Sequence, residues 1–176
     1  LRAHGWTRNL PDKNHVSNKS DDWFDESFRF VLPGYNVRPL EMSGAIGTEQ
    51  LKKLPSFIKQ RRKNAEIFVN LFKDDKRFLI QKEIDESSWF GFSLIIIDES
   101  LNRKEIIDFL TMNKIDSRPI VTGNFTRNDV MKFFDYKIHK TLENADNLHF
   151  NGFFIGNSHE NLKNEIHHLY NTLNKI

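Results

Sequence analysis

Cysteine is absent from the 176 residues. That excludes disulfide scaffolds, thiolate metal sites, cysteine nucleophiles and cysteine-ligated iron–sulfur clusters. No apolar run approaches the ~20 residues that a membrane-spanning helix needs. Neither sign of charge dominates. Lys and Arg number 26, Asp and Glu 24, and the formal net charge is +2, without the large clustered excess of a dedicated nucleic-acid binder. No internal repeat and no low-complexity tract appears. There is no GxxxxGK(S/T) phosphate loop, no HExxH and no GxSxG. Gly152 and Gly156 delimit a strand rather than build a dinucleotide fingerprint, which needs a third glycine ahead of a helix. A signal peptide is also missing. The opening Leu1-Arg2-Ala3-His4-Gly5-Trp6 reads as a chain entered part-way, and the expectation is a piece of a longer protein.

What is present is globular: 38% hydrophobic and 28% charged residues, in a length suited to one domain or a little more. Residues 9–27 are polar and rich in turn formers, with no helical or strand period, and read as a long loop of the kind that often carries function. Phe28, Phe30 and Val31-Leu32 look strand-like and end at Pro33-Gly34. A helix is expected from about Pro39, with Gly44 and Gly47 implying close packing against another backbone. Pro55 should start a second helix to about Lys73, with Ile58, Ala65, Phe68 and Phe72 as its buried stripe. Beyond it strands and helices alternate. Strands are expected at Phe78–Gln81, Ser88–Ile97, Ile115–Val121 and Gly152–Gly156. Helices are expected at Asn102–Asn113, near Asn128–Phe134, at Ile138–Asn147 and from Glu160 to Asn174. The sum is an α/β or α+β arrangement.

Few residues carry a chemical signal. His167-His168 point to different sides of a helix, so the pair does not make a metal site, and no metal is expected. The basic cluster Lys59, Arg61, Arg62, Lys63 suits a solvated or interface helix face better than nucleic acid. Trp6, Trp23 and Trp89 either anchor loops or offer a face to a sugar or base. The stretch from Arg118 to Arg127 is the most suggestive. An arginine at a strand end, then Thr122, Gly123, Asn124 and a second arginine, offers guanidinium forks and hydroxyls to a phosphorylated ligand. Gly34-Tyr35-Asn36-Val37-Arg38-Pro39 similarly sets an amide and a cation before a helix start, where anions are favoured.

Leu1 to Pro11 and Phe30 to Gly47 resemble the sugar aminotransferase and dehydratase family of fold-type I pyridoxal-phosphate enzymes. Ser87-Ser88-Trp89-Phe90-Gly91-Phe92 and Arg118 to Phe125 resemble its 3-dehydratase branch. The likeness runs over essentially the whole chain and corresponds to roughly the C-terminal half of such an enzyme. It implies the C-terminal part of the aminotransferase fold, with residues 1–54 ending the large cofactor domain and residues 55–176 forming the small domain. It implies pyridoxal or pyridoxamine 5′-phosphate as cofactor and GDP-4-keto-6-deoxymannose as substrate. The C3 hydroxyl would leave after a base removes a cofactor proton, in O-antigen deoxysugar biosynthesis of the colitose type. The base, a histidine in place of the usual lysine, would precede Leu1. By the same resemblance Asn36 reaches the neighbouring subunit's cofactor phosphate, and Phe28, a substrate-binding residue, is also contributed across a homodimer. Arg8 and Arg118 lie near the nucleotide diphosphate. A cytoplasmic enzyme without nucleic-acid or membrane partners follows. The absence of cysteine argues against the iron–sulfur branch of the family. A sugar aminotransferase of the perosamine synthase type, or a non-catalytic sugar-nucleotide-binding module, are the alternatives.

Overall fold

The stripe of Ile58, Ala65, Phe68 and Phe72 does form a helix, and it is longer than the sequence suggests. In a computed structural model, which describes residues 7, 9–19, 21, 31, 32, 35, 37, 40–121, 123–127, 131 and 134–176, α1 (Glu41–Phe72) runs unbroken for 32 residues. Pro55 lies inside it, where a helix boundary was expected. Proline removes one backbone donor, but the helix carries on through it. Residues Leu1–Lys52 and Lys53–Ile176 form two compact units.

In the first unit the described part of the 9–27 segment has turns and no regular element. Asn14 Oδ1 accepts from the backbone N–H of Val16 (2.9 Å) and of Ser17 (3.0 Å), an Asx turn. Val31 and Leu32 are not in a strand, and Phe28 and Phe30 lie outside the described residues. Gly44 and Gly47 do not make the close approach expected of them. A Cβ on either would meet nothing within 4 Å.

The second unit is built on an antiparallel sheet in the order β1-β2-β3, with β1 Phe78–Ile80, β2 Gly91–Ile96 and β3 Gly152–Gly156. Phe78 pairs with Ile96, and Leu94 with Phe153. The alternation of β2 turns Phe92, Leu94 and Ile96 to the buried side. There Phe68 stacks on Phe92 with ring centres 4.7 Å apart. α2 (Arg103–Met112) and α4 (Lys163–Leu173) add Ile106, Leu110, Leu169 and Leu173 to the same core. α3 (Glu143–Asn151) runs directly into β3.

Three expected elements change, each for a backbone reason. The Ile115–Val121 strand reduces to one bridge, Arg118 with Phe154. Pro119 has no N–H to continue a ladder, and Val121 has φ 48°. The helix expected at Ile138–Asn147 starts only at Glu143, after Lys140 takes φ 63°. β2 starts at Gly91 rather than Ser88 because Trp89 has φ 45°. The helix expected near Asn128–Phe134 falls largely outside the described residues.

One polar residue joins the core without any sequence signal. Asn64 is fully buried on α1. Its amide nitrogen donates to Asn157 Oδ1 (3.1 Å) and to the carbonyls of Ser158 (3.2 Å) and Glu160 (2.8 Å). Its oxygen accepts from Leu162 N (3.2 Å) and Gln60 Nε2 (3.0 Å). It thereby ties α1 to the turn between β3 and α4 by taking up two of its carbonyls and one of its amides.

Candidate nucleotide-sugar site

Arg118 and Arg127 read alike in the sequence, and the structure separates them. The Arg118 backbone is pinned to β3: its N–H donates to Phe154 O (3.0 Å) and its carbonyl accepts from Phe154 N (2.8 Å). Its side chain is exposed and has no hydrogen bond or ion pair among the described residues. Arg127 is occupied. Its Nε donates to Asp146 Oδ1 at 2.6 Å, and its guanidinium carbon lies 4.7 Å from the centre of the Phe150 ring.

Asp146 organises the loop between the two arginines. It also accepts from the amide nitrogen of buried Asn124 at 2.7 Å. The Asn124 oxygen in turn accepts from the Thr126 backbone (3.1 Å) and hydroxyl (2.7 Å). The Arg127 hydrogen bond, then that of Asn124, hold the Asp146 carboxyl well below its ordinary value, at about 2. Gly123 has φ 64°, and a Cβ there would lie 2.5 Å from His149 Nδ1. Only glycine both takes that backbone and leaves α3 room.

At the root of Arg118 is a cavity of about 260 Å³ whose walls include Arg103, Lys104, Ser117 and Arg118, with Gly152 and Phe153. Arg103 is fixed: its Nη1 donates to His149 O (2.5 Å) and Gly152 O (3.2 Å). Lys104 is exposed. The Ser117 hydroxyl oxygen is buried and has no hydrogen-bond partner. Neither Lys104 nor Ser117 carries a sequence signal, because each becomes notable only beside the other elements.

A larger cavity, about 450 Å³, lies between α1 and the segment before β2. The basic cluster on α1 serves this segment. Arg61 donates to the carbonyls of Ser88 (2.9 Å) and Trp89 (2.6 Å). Arg62 donates to the carbonyls of Ser87 (3.2 Å) and Glu86 (3.1 Å) and to the Glu86 carboxylate (3.0 Å). Glu83 accepts from the Trp89 indole N–H and from Ser87 N (2.6 Å). Trp89 is buried and anchors the loop. Trp6 and Trp23 lie outside the described residues, as do Arg8, Phe28 and Asn36. Arg118 is therefore the one resemblance-based site residue that the structure places.

The three-stranded antiparallel sheet and the helices packed on it have the fold of solved enzymes of the aminotransferase type. The chain belongs to the DegT/DnrJ/EryC1/StrS aminotransferase family, whose model matches residues 1–174. Within it, the chain is 59% identical, over 98% of its length, to the GDP-4-keto-6-deoxy-D-mannose 3-dehydratase of Escherichia coli O55:H7. It is 56% identical, over 99% of its length, to that of Yersinia pseudotuberculosis. It spans 45% of the length of each of these relatives. The E. coli dehydratase structure with bound hydrated pyridoxal phosphate matches with a TM-score of 0.88 over 98% of this chain and 45% of that one. A variant of a GDP-4-keto-6-deoxymannose 3-dehydratase, 59% identical to this chain, has been solved with bound GDP-perosamine, with the same TM-score and coverage.

No helix among the described residues is long and apolar enough to cross a membrane.

Proposed function

We propose that the protein carrying this chain removes the C3 hydroxyl of GDP-4-keto-6-deoxymannose, with pyridoxamine 5′-phosphate as cofactor, in deoxysugar biosynthesis. The observation that carries this reading is the 59% identity to a named 3-dehydratase over nearly the whole chain. In this reading residues 1–54 end the large cofactor domain and residues 55–176 are the small domain. The enzyme is a cytoplasmic homodimer with shared sites.

The described residues fit the anionic nucleotide. An exposed guanidinium with no side-chain partner among the described residues, at the rim of a cavity, suits an oxyanion, and Arg118 is the residue that binds the diphosphate. Arg8 joins it there. Asn36 bonds the cofactor phosphate across the dimer, and Phe28, also contributed across it, binds the substrate. The cofactor, once bound, supplies the electron sink that lets a hydroxyl leave beside a ketone. This chain's part is to bind and orient the nucleotide sugar, because the proton-transferring base belongs to the rest of the protein.

The test is product analysis. The full protein, incubated with pyridoxamine phosphate and GDP-4-keto-6-deoxymannose, should yield a 3-deoxy sugar nucleotide. A 4-amino sugar formed with an amino donor would instead assign an aminotransferase. Binding without turnover would assign a sugar-nucleotide-binding module.

A further inference from the structure

We propose that Phe90 stacks on the nucleobase of the nucleotide sugar, forming with Phe154 an aromatic platform on the face of the sheet opposite the core. The starting point is a break in the pattern of β2. Alternation along that strand puts Phe92, Leu94 and Ile96 in the core, and carried back two residues it would bury Phe90 as well. Trp89 is buried instead, and Phe90 is 78% exposed. Trp89 has φ 45°, a conformation that a non-glycine residue keeps only when its surroundings impose it. Here they do. Arg61 Nη2 (2.6 Å) and Asn157 Nδ2 (3.1 Å) both donate to the Trp89 carbonyl, and its N–H donates to Ser87 Oγ (3.0 Å). Glu83 accepts from the indole N–H. The Phe90 carbonyl accepts from Asn157 N (3.2 Å). Three separate segments thus hold an apolar ring out in water, where it adds nothing to the core.

An independent observation is what lies beside that ring. The Phe154 ring centre is 5.7 Å from that of Phe90. Phe154 is on the face opposite the core, since its neighbour Phe153 is buried. Its ring lies over Gly91, where a Cβ would come within 2.6 Å of it. The sheet is open at this end, because a Cβ on Gly156 would meet nothing within 4 Å. Phe154 also pairs directly with Arg118, and residues so paired put their side chains on one face, about 5 Å apart. Arg118, Phe154 and Phe90 therefore follow one another across this face, with the cation at one end and the exposed ring at the other.

A cation next to a flat apolar surface is the complement of a nucleotide, with phosphate at the guanidinium and the base on the rings. A base fits better than a hexose. The polar atoms around Phe90 are spent on one another, as Asn157 and Arg61 bond the Trp89 and Phe90 carbonyls. The platform offers a ring face without free hydrogen-bonding groups. Hexose hydroxyls need such partners, whereas a base stacks through its π face. Placing a nucleobase here rests on the function proposed above, in which Arg118 binds the diphosphate.

The experiment is calorimetric titration of GDP and, separately, of inorganic pyrophosphate into the full protein. Phe90→Ala should weaken GDP about tenfold or more, the effect of removing the ring under a stacked base, and change pyrophosphate by less than about twofold. Phe90→Leu, apolar but without a π face, should lose most of the same affinity. Phe90→Trp should keep it, and its indole fluorescence should fall as GDP stacks. Thermal melts confirm that each variant is folded. GDP affinity in Phe90→Ala within about twofold of native, or equal losses of GDP and pyrophosphate, overturns the platform. A loss seen only with the whole GDP-sugar, and not with GDP, overturns the base assignment and gives the ring to the hexose. If Phe90→Ala binds GDP normally while the enzyme makes the 3-deoxy product, the platform is wrong and the function stands. If GDP binding depends on Phe90 and no sugar product forms, the platform stands and the functional reading is wrong.

Discussion

Asp146 shows how much a single side chain can decide. It binds Arg127 and Asn124 together, so it makes Arg127 structural, whereas the Arg118 side chain has no partner among the described residues. Its carboxyl is held at about 2 rather than the ordinary 3.8 by hydrogen bonds from Arg127 first and Asn124 second. A folded-state value below the unfolded one means that ionised Asp146 stabilises the fold above about pH 4. That contribution is lost as pH falls from 3.8 towards 2. Asp146→Asn should therefore melt lower than the native protein at pH 7, and the gap should close between pH 4 and pH 2. Comparing the two proteins at each pH cancels other carboxylates such as Asp75, where burial works against ionisation but bonds and charge from Arg77 outweigh it. A gap of equal size at pH 7 and pH 2 would show that the effect is steric. From sequence, Arg118 was legible as a candidate because arginines at strand ends suit phosphates. Its distinction from Arg127 was not legible, because the deciding partner lies 19 residues further on. The reaction itself came only from the family likeness, since no spacing of residues in this chain encodes it.

Elements were legible where hydrophobic periodicity sets them and illegible where backbone sign or close approach does. The α1 stripe, the apolar run of β2 and the last helix follow the 3.6- and 2-residue periods. The strand shortened at Trp89 and the bridge cut short at Val121 depend on positive φ at non-glycine residues, which no pattern announces. Pro55 misled in the opposite direction, because local propensity yields when the rest of a helix is well formed. Gly91 shows what a close approach demands. It opens β2 opposite Gly156, and a Cβ on it would lie 2.6 Å from Phe154 Cδ2 and 2.7 Å from Ile155 O. The carbonyl is backbone and cannot swing away, so only glycine lets β3 lie this close. Gly91→Ala should destabilise the protein by about 1–3 kcal/mol, the usual cost of overpacking a fixed site. Urea denaturation would show a lower midpoint with an unchanged slope. Gly156→Ala is the control, because nothing lies within 4 Å of its Cβ. Equal losses at both positions would mean that strand propensity, not the clash, is responsible.

At the scale of the whole molecule the apolar core is not shared evenly along the chain. Every buried hydrophobic residue among those described lies between Ala65 and Leu173. In the first unit Leu40, Met42, Ile46 and Leu51 are more than half exposed, so its described part of α1 contributes little burial of its own. The second unit holds the complete sheet, α2, α3, α4 and the part of α1 that packs on them. It also contains the Asn64 cluster that joins helix to turn. Burial of apolar area is the dominant favourable contribution to folding, and a core of this kind within residues 53–176 falls in the ordinary size range of an independent domain, about 50–250 residues. We expect residues 53–176, expressed alone, to fold cooperatively. The first turn of the shortened α1 should fray, since its leading amides lose their partners, but Phe68 and Phe72 lie more than three turns further on. The piece should show a single sigmoidal thermal transition and dispersed amide resonances. It should also keep the hydrogen-exchange protection of the β2 amides. A gradual, non-cooperative melt, or rapid exchange at Phe92 and Leu94, would mean that residues 1–52 complete a core that the buried residues alone do not reveal.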